Sequence, residues 1–121
     1  MTLISTSLIS IIIRTKNEER WITSCLSAIS EQTYQNYEII IVDNKSSDKT
    51  IEKAKQFNLK KILEIDNYLP GKSLNLGINH AEGEFIVCVS AHCIPTDNFW
   101  LERLLENFDN PNVGGVYGRQ E

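Results

Sequence analysis

Residues 37–50, YEIIIVDNKSSDKT, change character at their midpoint. The first half is a run of β-branched residues that ends in Asp43, and the second half is polar and opens a helical pattern. Continuous apolar runs of this kind are typical of strands that are buried on both faces, as in parallel sheets. The stretch therefore predicts a strand, a polar loop and a helix, with an acid at the carboxyl end of the strand.

The same unit recurs along the chain. Apolar runs at residues 8–13, 60–65 and 84–90 alternate with helical patterns, and residues 113–118 can start a fifth strand. Strands that alternate with helices form parallel sheets, because right-handed crossovers bring each strand back beside the last one. We expect one α/β domain over residues 1–121, Rossmann-like, with a mostly parallel sheet and helices on both faces.

Polar residues and glycine mark the predicted helix ends. Thr15 or Asn17 is expected to cap the first helix, with Glu18 and Glu19 in its first turn. Ser46, Ser47 and Asp48 are expected at the start of the second helix, Thr96 at the start of the last, and Gly83 at the end of the third. The predicted apolar faces are Trp21, Ile22, Cys25, Leu26 and Ile29; Ile51, Ala54 and Phe57; Leu74, Ile78 and Ala81; and Leu101, Leu104, Leu105 and Phe108.

Composition excludes several classes of protein. The chain has 121 residues, 41% hydrophobic and 23% charged, as in ordinary globular proteins. Its net charge of −4 argues against nucleic acid as the main partner. No apolar run reaches the length of a membrane span. Cys25, Cys88 and Cys93 are odd in number and lack a CxxC pair, which favours buried reduced thiols; zinc binding by Cys88, His92 and Cys93 stays open.

The ligand is expected at one edge of the sheet. In open α/β sheets, ligands bind beyond the carboxyl ends of the strands. Those ends carry residues 14–17, 43–44, 66–67 and 90–92. No glycine-rich turn follows the first strand, so neither the dinucleotide motif GxGxxG nor the P-loop is present. Side chains or a metal ion must therefore neutralise any bound phosphates.

These residues resemble a known family. The stretch SIIIRTKNEERWITSCLSAISEQTYQNYEIIIVDNKSSDKT is similar to the opening of family 2 glycosyltransferases of the GT-A fold, where the second strand usually ends in VVDDGSTD. The stretch GKSLNLGINHAEGEFIVCVSAHCIP continues the similarity. The resemblance implies an inverting hexosyl- or rhamnosyl-type enzyme. It would transfer a sugar from a nucleotide-diphosphate sugar to a saccharide or lipid-linked acceptor, in cell-surface polysaccharide synthesis.

The resemblance also implies that the chain is the nucleotide-sugar-binding half of the enzyme. In the family, the catalytic base and the acceptor site follow in the second half, so the base is expected beyond residue 121. The domain would then be incomplete at its C-terminus, inactive alone, and open to self-association through an uncovered edge. The expected location is cytoplasmic, with peripheral attachment to the inner membrane face left open.

The resemblance assigns nucleotide binding to a set of positions at the predicted edge. Asp43 would accept hydrogen bonds from the base or ribose. Lys16 replaces an aromatic residue that is common in the family, which leaves the preferred nucleotide open. Lys72 can reach a phosphate or remain solvated, and Asn75 can line the donor pocket or pack against a loop. The full set is Arg14, Thr15, Lys16, Asn17, Asp43, Asn75 and Ser90.

The family's metal-binding Asp-x-Asp is replaced here by Ser90-Ala91-His92. His92 can bind a divalent metal, and imidazole suits Mn²⁺ better than Mg²⁺. Alternatively, a protonated His92 with Arg14 or Lys72 neutralises the diphosphate directly. A third alternative is a histidine that only hydrogen-bonds the following turn.

Two alternatives to an enzyme follow from the same residues. The loss of both acids fits a non-catalytic GT-A-like binding or assembly module. A response-regulator-like signalling domain would need acids directly after the first strand, where Arg14–Asn17 stand instead.

Overall fold

The computed structural model describes residues 8–66, 70–91, 95 and 97–106, with the side chains of 70–74 and 106 left out. Several sequence predictions lie outside this range. They concern His92, Cys93, Thr96, Phe108 and the possible fifth strand at residues 113–118.

Four strands alternate with four helices in the part of the chain that the structure describes. The elements are β1 (Ile9–Thr15), α1 (Ile22–Ser30), β2 (Tyr37–Asp43), α2 (Thr50–Ala54), β3 (Lys61–Glu64), α3 (Pro70–His80), β4 (Phe85–Ser90) and α4 (Trp100–Glu106). The strands form one sheet in the order β3-β2-β1-β4, and every neighbouring pair is parallel. The predicted Rossmann-like α/β class is confirmed.

The first face of the sheet is covered by α1, α2 and α4. Alternate residues of the strands point to opposite faces, so one set of isoleucines and valines lies under these helices. The described residues of the predicted apolar faces of α1, α2 and α4 pack there, apart from Trp21, which is 39% exposed and precedes α1. The core comprises Ile9, Ile11, Ile13, Ile22, Cys25, Leu26, Ile29, Ile39, Ile41, Ala54, Val87, Val89, Leu101 and Leu105.

The second face is covered by α3. Ile12, Ile40 and Val42 form its buried floor, and Leu76 and Ala81 pack against them. The predicted stripe was wrong at Ile78, which is 40% exposed. Gly77 makes the contact with the sheet that was predicted for Ile78. A Cβ at Gly77 would lie 2.7 Å from Cγ2 of Ile12, so the backbone of α3 lies directly on the sheet.

Two predicted boundaries were wrong around the first loop. β1 runs on to Thr15, so Arg14 and Thr15 belong to the strand and not to a loop. α1 begins only at Ile22, and its N-cap, Trp21, makes no side-chain capping bond. Glu18 and Glu19 therefore precede the helix, because tertiary contacts described below hold the segment between β1 and α1.

The prediction for Gly83 was also wrong. α3 ends at His80, and no glycine among the described residues has a positive φ, so Gly83 is not a left-handed helix cap. Instead its N–H donates to Oγ of Ser10 (2.8 Å), and a Cβ at Gly83 would lie 2.6 Å from the Ser10 nitrogen. Gly83 is required for the close approach of this turn to β1.

An ionic network joins the strands at the amino edge of the sheet, away from the predicted ligand edge. The carboxylate of Glu38 accepts hydrogen bonds from Oγ of Ser10 (2.5 Å), the N–H of Glu82 (2.8 Å) and Nζ of Lys60 (3.0 Å). Burial raises the pKa of Glu38, but these hydrogen bonds outweigh it and lower the pKa below its ordinary value. The network therefore stabilises β1, β2 and the turn before β4 only while Glu38 is ionised.

A buried amide connects α1 to α4. Gln32 is 2% exposed, and its Nε2 donates to the carbonyls of Asp97 (2.7 Å) and Ala28 (3.1 Å). Its Oε1 accepts the N–H of Leu101 (3.1 Å), which is a backbone donor in the first turn of α4. All the polar atoms of this buried side chain are thus satisfied.

None of the helices in the described segments is long and apolar enough to cross a membrane. Cys25 is buried and Cys88 is half-buried, and both are free thiols, as predicted for reduced cysteines.

Candidate functional site

The structure brings most of the predicted edge residues together. In the parallel register, Thr15 pairs with Asp43 and Arg14 pairs with Ser90. Because β1 lies between β2 and β4, these four residues occupy two successive positions at the carboxyl ends of three neighbouring strands, and we call them the edge row. The pair Thr15–Asp43 and the pair Arg14–Ser90 leave opposite faces of the sheet, since side chains alternate along a strand. The carboxyl ends of β1, β2 and β4 therefore meet, as the sequence predicted.

Asp43 is the buried acid of this row. Its side chain is 2% exposed and accepts three hydrogen bonds. Oδ1 accepts from Oγ1 of Thr15 (2.5 Å) and Oγ of Ser46 (2.6 Å), and Oδ2 accepts from the N–H of Ser46 (2.8 Å). A carboxylate that is held by donors on both oxygens has one fixed orientation, which a ligand-binding acceptor needs.

The loop between β1 and α1 is bonded to the loop between β2 and α2. Three consecutive backbone N–H groups, those of residues 17–19, donate to side chains of the second loop. Their acceptors, with distances, are Oγ of Ser46 (2.8 Å), Oγ1 of Thr50 (2.7 Å) and Oδ2 of Asp48 (3.2 Å). Amides at this position bind phosphate in many nucleotide-binding folds. Here they are already used, so the first loop cannot supply an anion site through them.

Lys16 and Asn17 strengthen the connection between the two loops. Nζ of Lys16 donates to the carbonyls of Asn44 (2.9 Å) and Lys45 (3.3 Å). Oδ1 of Asn17 accepts the N–H of Ser47 (2.8 Å). Asn17 and Lys45 have positive φ values of 51° and 46°, and Lys45 stands where the family pattern has glycine. Such conformations are unfavourable for residues other than glycine and are found preferentially at functional sites.

The predicted cap of α2 by Ser46 or Ser47 was wrong, whereas Asp48 lies at the start of the helix as expected and accepts the N–H of its first residue, Thr50. The N-cap of α2 is Lys49, which makes no side-chain capping bond. Ser46 bonds Asp43, Ser47 bonds Asn17, and Asp48 accepts from both the N–H (2.9 Å) and Oγ1 of Thr50 (2.5 Å). These hydrogen bonds lower the pKa of Asp48, although burial works in the opposite direction. In this loop, Ser46 and Ser47 therefore bond to Asp43 and Asn17 at the edge of the sheet, and Asp48 bonds to Glu19 and to the first residue of α2.

The remaining predicted residues are less closely tied to the row. Asn75 lies on α3 and is exposed. The side chain of Lys72 and all of His92 lie outside the described residues. On the α3 face, burial raises the pKa of the Cys88 thiol, and the nearby charge of Arg14 offsets part of that rise.

The described residues do not form a metal site by themselves. They contain no group of three His, Cys, Asp or Glu side chains able to hold an ion. Three hydrogen bonds from Thr15 and Ser46 leave Asp43 at most one lone-pair position, on Oδ2, so it cannot form a metal site by itself. A metal at this edge would depend on His92.

Comparison with known proteins identifies the family. The model of glycosyl transferase family 2 matches residues 10–121, and the chain belongs to this family. A dolichyl N-acetyl-α-D-glucosaminyl phosphate 3-β-D-2,3-diacetamido-2,3-dideoxy-β-D-glucuronosyltransferase of Methanococcus voltae is 39% identical over 91% of the chain and 38% of its own length. The glucosyltransferase WfgD of Escherichia coli, which uses UDP-Glc and α-D-GlcNAc-diphosphoundecaprenol, is 31% identical over 94% of the chain and 46% of its own length.

Solved structures agree with this result. A mannosyltransferase of Pyrobaculum calidifontis in complex with GDP-Man and Mn²⁺ aligns with a TM-score of 0.83 at 26% identity, over 91% of the chain and 35% of its own length. Staphylococcus aureus TarS 1-349 in complex with UDP-GlcNAc aligns with a TM-score of 0.73 at 26% identity, over 84% of the chain and 31% of its own length. The chain thus spans less than half the length of these relatives, and it has the GT-A fold.

Sequence reasoning missed the contribution of the second loop. The pattern of Ser46, Ser47 and Asp48 matches a helix start so well that capping was the favoured interpretation. The available signals were Asn17, since asparagine tolerates the left-handed conformation, and Lys45, which stands where the family pattern has glycine.

Proposed function

We propose that this chain binds the nucleotide-diphosphate sugar donor of a glycosyltransferase. The observation that carries the proposal is that two adjacent pairs of residues, Thr15–Asp43 and Arg14–Ser90, lie together at the carboxyl edge of the sheet. The buried carboxylate of Asp43 supplies an oriented acceptor for the base or ribose, and Arg14 and Ser90 supply donors toward the diphosphate side. The relatives that were solved with GDP-Man and UDP-GlcNAc support this class of ligand.

The proposed reaction is transfer of the sugar to a saccharide or lipid-linked acceptor in cell-surface polysaccharide synthesis. Two relatives support the acceptor class, because their names specify dolichyl phosphate and diphosphoundecaprenol substrates. An inverting transfer of a hexosyl or rhamnosyl group needs a base that removes the acceptor hydroxyl proton. We place that base beyond residue 121.

A divalent metal is proposed as the partner of the donor diphosphate, with His92 as its ligand. The mannosyltransferase solved with Mn²⁺ supports this. When bound, such an ion neutralises the charge on the leaving diphosphate. Mn²⁺ is proposed over Mg²⁺ because imidazole is the only ligand assigned to it here.

Titration calorimetry of the 121-residue chain with UDP, dTDP and GDP, with and without Mn²⁺, tests the proposal. We expect binding of at least one nucleotide, tighter with Mn²⁺. Asp43→Ala removes the oriented acceptor and is expected to weaken binding about ten- to hundredfold, since a hydrogen bond to a charged group contributes about 1.5–3 kcal/mol.

Glu52→Gln is the control, because Glu52 is an exposed carboxylate on α2 away from the row. It should leave nucleotide affinity unchanged. Absence of nucleotide binding by the wild-type chain under all these conditions would refute the proposal and would favour the non-catalytic module. An effect of Mn²⁺ that survives in His92→Ala would remove His92 as the metal ligand.

A further inference from the structure

We propose that Ser46 is a positioning residue that aims the Asp43 carboxylate at an N–H donor on the nucleotide base, and so makes the site discriminate between bases. The inference rests on the proposed function, because it concerns how the donor nucleotide is selected. Ser46 lies outside the set of residues that the resemblance assigned to nucleotide binding.

The hydroxyl of Ser46 has only one way to donate. Its Oγ accepts the N–H of Asn17 at 2.8 Å and lies 2.6 Å from Oδ1 of Asp43. A hydroxyl carries a single proton, and a carboxylate at neutral pH is acceptor-only, so the proton of Ser46 points to Asp43. Asn17, whose N–H makes this bond, has a left-handed conformation (φ 51°).

Ser46 holds both oxygens of the carboxylate. Its backbone N–H donates to Oδ2 at 2.8 Å, while its hydroxyl donates to Oδ1. Thr15 donates to Oδ1 as well, at 2.5 Å. Rotation of the carboxylate about its χ2 bond would break these contacts together. The plane of the Asp43 carboxylate is thus fixed by one residue of the second loop and one residue of β1.

The donors are distributed unequally between the two oxygens. Each carboxylate oxygen offers about two lone-pair positions. Oδ1 has both occupied, by Thr15 and Ser46, whereas Oδ2 has one occupied, by the N–H of Ser46. The position that remains for a ligand is on Oδ2, and it accepts only a hydrogen-bond donor.

This geometry selects among nucleotide bases by chemical class. Uracil and thymine present an imide N–H at N3, and guanine presents an N–H at N1. Cytosine and adenine present a bare ring nitrogen at the corresponding position, so a lone pair would face the carboxylate. A buried acceptor that is left facing another acceptor is costly, and a site built for one donor rejects the analogue that lacks it.

The test measures the ratio of UDP affinity to CDP affinity by titration calorimetry. Wild type is expected to favour UDP by about tenfold or more. In Ser46→Ala the carboxylate loses a donor on Oδ1 and gains freedom to turn. The UDP-to-CDP ratio should then fall about three- to tenfold. A residue that only maintained the loop would lower both affinities together and leave the ratio unchanged.

Ser47→Ala is the matched control. Ser47 is the next residue, it is exposed, and its hydroxyl makes only a 3.4 Å contact with Oδ1 of Asn17. We expect the ratio in Ser47→Ala to equal that of wild type. Ser46→Thr keeps the hydroxyl and should restore the ratio. If Ser46→Ala does not fold, as judged by circular dichroism, Ser46→Cys carries the same test with a nearly isosteric, weak donor.

Each outcome decides the inference. If wild type prefers purines, GDP and ADP replace UDP and CDP in the same comparison. An unchanged ratio in Ser46→Ala, or an equal fall in Ser47→Ala, overturns the inference and leaves the proposed function standing. Wild type that binds nucleotides without preferring an N–H-bearing base also overturns it. Wild type that binds no nucleotide at all refutes the proposed function and, with it, this inference.

Discussion

The substitution Gly77→Ala isolates the closest contact between α3 and the sheet. The new methyl group would lie 2.7 Å from Cγ2 and 3.1 Å from Cδ1 of Ile12, and 3.3 Å from Cγ2 of Val42. The optimum separation of carbon atoms is about 3.5–4.0 Å, so the shortest contact is too close by about 1 Å. Ile12 is fully buried and Val42 is 1% exposed, so neither side chain has space to withdraw.

Two effects oppose each other in this variant. Replacing glycine by alanine inside a helix stabilises it by about 1 kcal/mol. Overpacking a closed core costs about 1–3 kcal/mol. The contact distances place Gly77→Ala toward the upper part of that range, so we expect a net loss of about 1–2 kcal/mol of unfolding free energy.

A double-mutant cycle with Ile12→Ala separates these effects. Ile12→Ala alone leaves a cavity and should cost about 2–5 kcal/mol. It also removes the atoms that the methyl group introduced by Gly77→Ala would strike, so that methyl group fills part of the cavity. We expect the double variant to be more stable than the sum of the single effects predicts, by about 1–2 kcal/mol.

Urea denaturation followed by circular dichroism measures all three variants. Asn79→Ala, at an exposed position of the same helix, is the control, and we expect it to be neutral or slightly stabilising. A Gly77→Ala variant that is more stable than wild type, by the gain in helix propensity, would refute the close packing of α3 on Ile12. Additive effects in the cycle would refute it as well.

Two further predictions concern groups away from the site. Gln32→Met keeps the volume of the buried side chain but leaves the carbonyl of Asp97 and the N–H of Leu101 unpaired. We expect the unfolding free energy to fall by about 2–4 kcal/mol in urea denaturation, and the exposed control Gln56→Met to show no change. Glu38 has a lowered pKa when folded, so its contribution to stability is present above its ordinary value of 4.5 and is lost as the pH falls through the lower folded pKa. Thermal melts from about pH 7 to about pH 3 should therefore show a smaller acid-induced loss in Glu38→Gln than in wild type or in Glu52→Gln, and equal slopes would contradict the assignment.

The sheet could be predicted from the sequence because its signal is local. The apolar runs of β1, β2 and β4 are continuous, and parallel pairing follows from their alternation with helices. The position of Asp43 at a strand end followed from the same pattern. The close approach of Gly77 to the sheet needed the structure, because a glycine inside a helical pattern does not show what its backbone contacts.

The connection between the two loops could not be predicted, because it joins residues about thirty positions apart in the sequence. Ser46 and Asp48 have the local pattern of a helix cap, and only tertiary contacts reveal their other partners. Ile78 was misassigned for a related reason. An analysis of hydrophobic periodicity gives a glycine no apolar weight, so it places the buried face of α3 on the neighbouring apolar residues. Here Gly77 itself contacts the sheet, and Ile78 is therefore turned toward solvent.

The bonding between the first and second loops has a consequence for protein engineering. Chimeric transferases can be made by exchanging one loop between relatives to alter which donor is used. In this chain the backbone of residues 17–19 has its partners in residues 46–50, so either loop inserted alone would arrive without its acceptors or its donors. The two loops should therefore be exchanged together. A recombination point between residues 19 and 46 would separate them.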